Sequence, residues 1–110
     1  MRAYCAKAIV IFFSPMNGGR PAVPVDSGYA PYLRAGVFPD DMPVRINGMP
    51  SRDGQYDVKY EVEIELMYHP KFDYSPLKPG EKFSLIEGVK IVGAGEIISS
   101  IYERVNDEYY

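Results

Sequence analysis

Few side chains in this sequence are equipped for chemistry, and they stand apart. His69 is the single histidine. It precedes Pro70 and has no cysteine or second histidine at metal-binding spacing, so a zinc set or a partnered general base is not in view. A structural hydrogen-bonding role is expected for it. Cys5 is the single cysteine, which excludes an internal disulfide. It sits in an apolar run without a neighbouring histidine or basic cluster, so a buried, inert thiol is expected. Glu61, Glu63 and Glu65 alternate, which places three carboxylates on one face of a strand. Acid–base work or cation binding would need such a row, but a solvated strand face is the expected reading. Gly93 and Gly95 match the first two glycines of a dinucleotide-binding turn, yet Ile98 holds the third position and no helix follows. A bulge or a close backbone approach is expected there instead. No glycine loop ending in Lys-Ser or Lys-Thr occurs, so a nucleotide-hydrolysing site is not recognisable. The chain is therefore expected to be non-enzymatic, with no catalytic residues, no cofactor, no metal and no nucleotide.

The elements that would position these groups are strands. From Tyr56 to His69 the residues Val58, Tyr60, Val62, Ile64 and Leu66 share one parity, while Asp57, Lys59, Glu61, Glu63 and Glu65 share the other. Strict alternation predicts one long strand with a core face and a water face. Tyr4 to Phe13 predicts a first strand, apolar on both parities toward its end, a pattern found where both faces are covered. Ser14 to Arg20 breaks it through Asn-Gly and Gly-Gly turn chemistry, and Pro21 and Pro24 keep the next stretch irregular. Further strands are predicted over Tyr29–Phe38, Val44–Met49, Lys82–Ile86 and Val89–Ile101. Pro39–Pro43 interrupts, Ser51–Gly54 turns, His69–Glu81 loops, and Glu87-Gly88 turns. About six strands with prolines and glycines between them predict an all-β barrel or sandwich, and closure removes exposed edges.

Length and charge bound the rest. One domain is expected over residues 1–105, followed by a polar tail over 106–110 that is expected to fray. At 110 residues the chain needs no disulfide or metal to fold. The apolar run Ala8–Phe13 is too short for a membrane helix and lacks a cleavage site before Pro15, so neither a membrane segment nor a signal peptide is expected. A lone cysteine suits a reducing compartment, and a cytoplasmic location is expected. The net charge of −3 argues against a dedicated nucleic-acid binder. Arg20, Arg34, Arg45, Arg52 and Lys90 are the cations available for a local basic face; scattered surface charges are the expected reading. Most of the ten tyrosines are expected to pack in strands. Tyr29 and Tyr32 flank a proline in a polar, glycine-bearing region, where an exposed aromatic is expected.

Five short pieces occur in order: Gly18-Gly19-Arg20, Gly28-Tyr29-Ala30-Pro31, His69-Pro70, Glu87-Gly88 and Val92-Gly93-Ala94-Gly95. Together they make the chain resemble the C-terminal β-barrel domain of elongation factor Tu, whose succession is Gly-Gly-Arg, Gly-Tyr-Arg-Pro-Gln-Phe, His-Pro, Arg-Glu-Gly-Gly and Val-Gly-Ala-Gly. The resemblance implies a six-stranded antiparallel closed barrel. In the family this domain follows a GTPase domain and another barrel, packs on the GTPase domain and contacts the T stem of aminoacyl-tRNA. Carried over residue by residue, Glu87, Gly88 and Lys90 stand at the turn that approaches the T stem. Departures fall on the same surface. Ala30 and Ile86 replace arginines, Tyr32 replaces glutamine and Val89 replaces the second glycine of the turn. Lost cations mean lost phosphate contacts.

The expectation is therefore a stand-alone barrel that binds a protein partner, as an adaptor or an inhibitor or immunity-type protein. The surface residues expected to carry binding are Arg20, Tyr29, Tyr32, Arg34, Glu87, Gly88 and Lys90, with the loop Lys71–Glu81 a further contact region. The alternative is a translation-linked RNA binder that keeps part of the tRNA surface. Self-association is compatible with a barrel, although the sequence locates no patch for it.

Overall fold

The computed structural model describes residues 2–24, 28–36, 41–50 and 52–105. Eight strands run β1 (Arg2–Phe12), β2 (Tyr32–Ala35), β3 (Met42–Pro43), β4 (Arg45–Asn47), β5 (Tyr60–Glu65), β6 (Lys82–Glu87), β7 (Lys90–Ile97) and β8 (Tyr102–Val105). Among the described residues the only helical turn is a short 3-10 segment at Pro15–Asn17. All strand pairs are antiparallel and form one sheet in the order β3-β2-β6-β7-β1-β5-β4, with β8 on β1. The sheet curls into a nearly closed barrel. Its two ends approach where Val44 N–H donates to Pro31 O at 3.3 Å and Ile46 N–H donates to Tyr29 O at 2.9 Å.

β1 is the spine. One edge pairs with β5 from Cys5 to Val10, and the other pairs with β8 at Arg2–Cys5 and with β7 at Ala8–Phe12. Its alternation puts Ala6, Ala8, Val10 and Phe12 into the core, where all four are fully buried. Leu33, Ile46, Val62, Ile64, Phe83, Leu85, Val92 and Ile97 meet them from the other strands. Each such side chain contributes roughly 1.5–3 kcal/mol of burial. The loop between β5 and β6 closes one end with Tyr74 and Leu77, and the Tyr74 hydroxyl donates to Pro43 O at 2.6 Å.

Three sequence expectations need correction. The long strand over Tyr56–His69 shrinks to Tyr60–Glu65, because the chain turns out of the ladder while β1 still continues. The last ladder pair is Val10 with Tyr60. Asp57 then takes a positive φ of 58° and gives its N–H to Phe12 O, and Val58 is 37% exposed. Six predicted strands become eight. Met42–Pro43, read as an interruption, pairs with β2 as the end strand of the order, an edge position where a proline is tolerated. The strand over Val89–Ile101 stops at Ile97, and Tyr102–Val105 forms a strand that sequence reading missed. Between them the chain loops out opposite Ala6 and Lys7, and the Ser99 hydroxyl accepts the Lys7 N–H at 2.8 Å in place of a ladder carbonyl. The expected end of the second strand at Phe38, most of the Pro39–Pro43 interruption, Ser51 and the tail 106–110 lie outside the described residues. Among the described residues, no helix is long and apolar enough to cross a membrane.

Gly93 and Gly95 do what strand glycines were expected to do. A Cβ on Gly93 would lie 2.5 Å from Ile11 O, and one on Gly95 would lie 2.4 Å from Ile9 O and 2.5 Å from the Phe83 ring. A register shift between Leu85 and Ile86 accompanies them.

Candidate binding surface at the hairpin end

β6 and β7 are joined by a two-residue turn closed by the pair Glu87 and Lys90. Gly88, the first turn residue, has a φ of 61°, which the tight hairpin turn demands and a side chain resists. Val89 follows at the tip with a relative exposure of 104%.

Three expected site residues meet at the base of this hairpin. The Tyr29 hydroxyl donates to the Glu87 carboxylate. The Arg20 guanidinium lies 2.6 Å from the same carboxylate and 5.1 Å from the Tyr29 ring centroid. That contact is an ion pair whose Nε–H is not aimed along it; Arg20 gives a hydrogen bond instead to Ala22 O at 2.6 Å. The Tyr29 ring packs edge-on against Phe12, with centroids 5.9 Å apart. Tyr29 is thus half-buried rather than exposed. Burial first, and then the Glu87 carboxylate, push its phenol well above the ordinary tyrosine range, so it stays a proton donor. Tyr56 fixes the Arg20 loop by donating to Arg20 O at 2.8 Å.

Beside this cluster the outer wall is apolar. The register aligns Tyr32 with Ile86 and Ile86 with Ile91. Leu85 points into the core, so its neighbour Ile86 points outward, yet it is only 1% exposed. Tyr32 and Ile91 flank it and are themselves 49% and 46% exposed. Tyr32 and Ile91, with Val89 beyond them, form an exposed apolar strip on either side of the buried Ile86. Lys90 is exposed at its edge.

The structure therefore brings Arg20, Tyr29, Glu87, Gly88 and Lys90 together, with Tyr32 on the adjoining row. It leaves Arg34 apart, as an exposed side chain in a two-point pair with Asp41 at 2.8 and 3.1 Å. That pair raises the Arg34 pKa and lowers that of Asp41, chiefly through the hydrogen bond. No basic face forms from the arginines considered: Arg20 faces Glu87, Arg45 faces Glu65 and Arg52 faces Asp53.

No protein-family model and no curated protein sequence matches this chain.

Val89 and Ile91, with the buried Ile86 beside them, are the residues of this surface that strand reading passed over. The signal was present in the resemblance, since Ile86 and Val89 are two positions where an arginine and a glycine are replaced by apolar residues.

The row of glutamates also departs from expectation. Glu61 is exposed, but Glu63 and Glu65 are not a solvated face. Glu63 accepts from the Tyr102 hydroxyl at 2.5 Å and from Arg104, while Glu65 takes Arg45 at 3.7 Å, Arg104 at 3.6 Å and Asn47 at 3.2 Å. Beneath them Cys5 is fully buried, with its thiol pushed up to about 12, by burial first and then by Glu63. The inert thiol was expected from sequence; its position under a carboxylate cluster was not. His69 stacks on Tyr4 with centroids 4.2 Å apart, and its buried Nδ1 has no hydrogen-bond partner. Its side chain serves packing, not the hydrogen-bonding role expected.

Proposed function

We propose that this chain is a barrel of the elongation factor Tu C-terminal type that binds a protein partner without catalysis, through the hairpin end. The observation that carries this reading is the exposed apolar strip of Tyr32 and Ile91, flanking the buried Ile86 and ending at the fully exposed Val89. An apolar strip with an aromatic at its edge, rimmed by Arg20, Glu87 and Lys90, matches the make-up of interface hot spots. The ordered resemblance of sequence pieces supports the barrel type, and the antiparallel, nearly closed sheet agrees with it.

The charges favour protein over RNA. Arg20 and Arg34 are each held by a carboxylate, so phosphate would have to compete for them. Partner capture from the native extract is the test. Wild-type protein retains a defined partner, and Tyr32→Ala or Val89→Asp loses it while keeping the β-sheet circular dichroism. If nothing co-purifies, the reading fails. Salt-sensitive tRNA binding that weakens on Lys90→Ala would transfer the surface to RNA.

A further inference from the structure

A second surface lies away from the hairpin. β1 sends Ile9 and Ile11 outward, and with Ala94, Gly95 and Ile98 they line an open groove of about 620 Å³. Ile9 and Ile11 are half-buried, and Ile98 is 43% exposed. Lys59, Lys82 and Glu96 form its rim. The apolar pattern on both parities of β1 calls for cover on both faces. Ala8, Val10 and Phe12 receive theirs from the core, whereas Ile9 and Ile11 face the open groove.

We propose that a second copy of this chain closes the groove, giving a two-fold dimer. Charge placement selects this occupant. Glu96 pairs with Ile9 on the β7 flank, and Tyr60 pairs with Val10 on the β5 flank, which sets Lys59 beside Ile11. Lys59 and Glu96 are therefore displaced in opposite directions from Val10, on opposite sides of the groove. A two-fold axis lying in the face over that midpoint exchanges the flanks. It lays Lys59 of each copy over Glu96 of the other, with the isoleucines between them. An isologous interface requires such self-complementarity. A uniformly acidic or basic partner would leave one sign of this rim unmatched.

Sedimentation equilibrium of the full chain tests this. The expected mass is twice the 12.4 kDa of one chain. Glu96→Lys alone, or Lys59→Glu alone, weakens the dimer roughly tenfold or more. Mixing the two single variants restores it, because each charge then meets its opposite across the interface. The double variant Lys59→Glu/Glu96→Lys restores it as well. Val89→Asp leaves the dimer unchanged, which separates this groove from the hairpin surface. Circular dichroism confirms that each variant is folded. A monomer at every concentration overturns the proposal, and so does a dimer indifferent to the reversals or not rescued by mixing.

Discussion

Two clusters in this barrel use the same three groups to different ends. At the hairpin, Tyr29 and Arg20 converge on Glu87; on the outer wall, Tyr102 and Arg104 converge on Glu63. The wall cluster sits over the strand ladder. It ties β8 to β5 across β1, recruits Glu65 and Arg45, and seals Cys5. The hairpin cluster hangs from a loop, since Arg20 belongs to no strand, and its tyrosine alone reaches the core, through Phe12. The first holds β8 in place. The second orients a hairpin whose apolar tip is left uncovered. Identical pair chemistry becomes brace or platform according to what the backbone beneath it is already doing.

That contrast can be broken by experiment. The largest effect is expected for Glu63→Ala. Tyr102 loses its acceptor and Arg104 keeps only the looser contact with Glu65 at 3.6 Å, so the partly buried pair is weakened on both sides and about 2 kcal/mol of stability is lost in urea unfolding. A loss no greater than that of an ordinary surface substitution would falsify the bracing role.

Alkaline pH should act on the same wall. The folded Cys5 thiol titrates at about 12 against an ordinary 9.0. The unfolded chain therefore gives up its proton first as pH rises. The stabilisation is complete below about pH 9 and is lost progressively toward pH 12, with a limiting slope of about 1.4 kcal/mol per pH unit. Tyr102 and Tyr29, also raised, add in the same direction from their higher ordinary range. In Cys5→Ala the decline should begin later, and an unchanged pH profile would contradict this account.

Tyr29→Phe keeps the ring on Phe12 and removes the donor to Glu87. A loss of about 1 kcal/mol is expected, smaller than at Glu63, together with weaker partner capture as the hairpin loses its anchor. Equal losses at the two carboxylate clusters would erase the distinction between them. Val89→Asp is the smallest perturbation of the fold. Val89 touches nothing that a charge would disturb, so stability should stay within about 0.5 kcal/mol while partner binding falls. If stability falls instead, the tip is packed rather than presented.

Much of the architecture was legible because strand alternation is a local signal. Val62, Ile64 and Leu66 announced a core face, and Gly88 announced the hairpin it turns. Strand ends were not legible, since they depend on where the backbone turns out of the ladder: Val58 keeps the alternating pattern but follows the positive-φ Asp57 and lies beyond the last β1–β5 pair. β8 was missed for a similar reason. Tyr-Glu-Arg-Val has no marked pattern of its own and becomes a strand because the first residues of β1 offer it a ladder.

The candidate surface divides the same way. Sequence by itself determined an antiparallel β domain with a buried thiol, a tight glycine hairpin and apolar replacements at Ile86 and Val89, since side-chain type and period-two spacing are written in the chain. Tertiary structure alone decided which charges meet. Arg20 reached Glu87, Arg34 went to Asp41, and Glu63 met an arginine forty-one residues away. Coulombic attraction and hydrogen bonding depend on distance in space, and the curl of the sheet sets that distance, with no trace of it in the local order of residues.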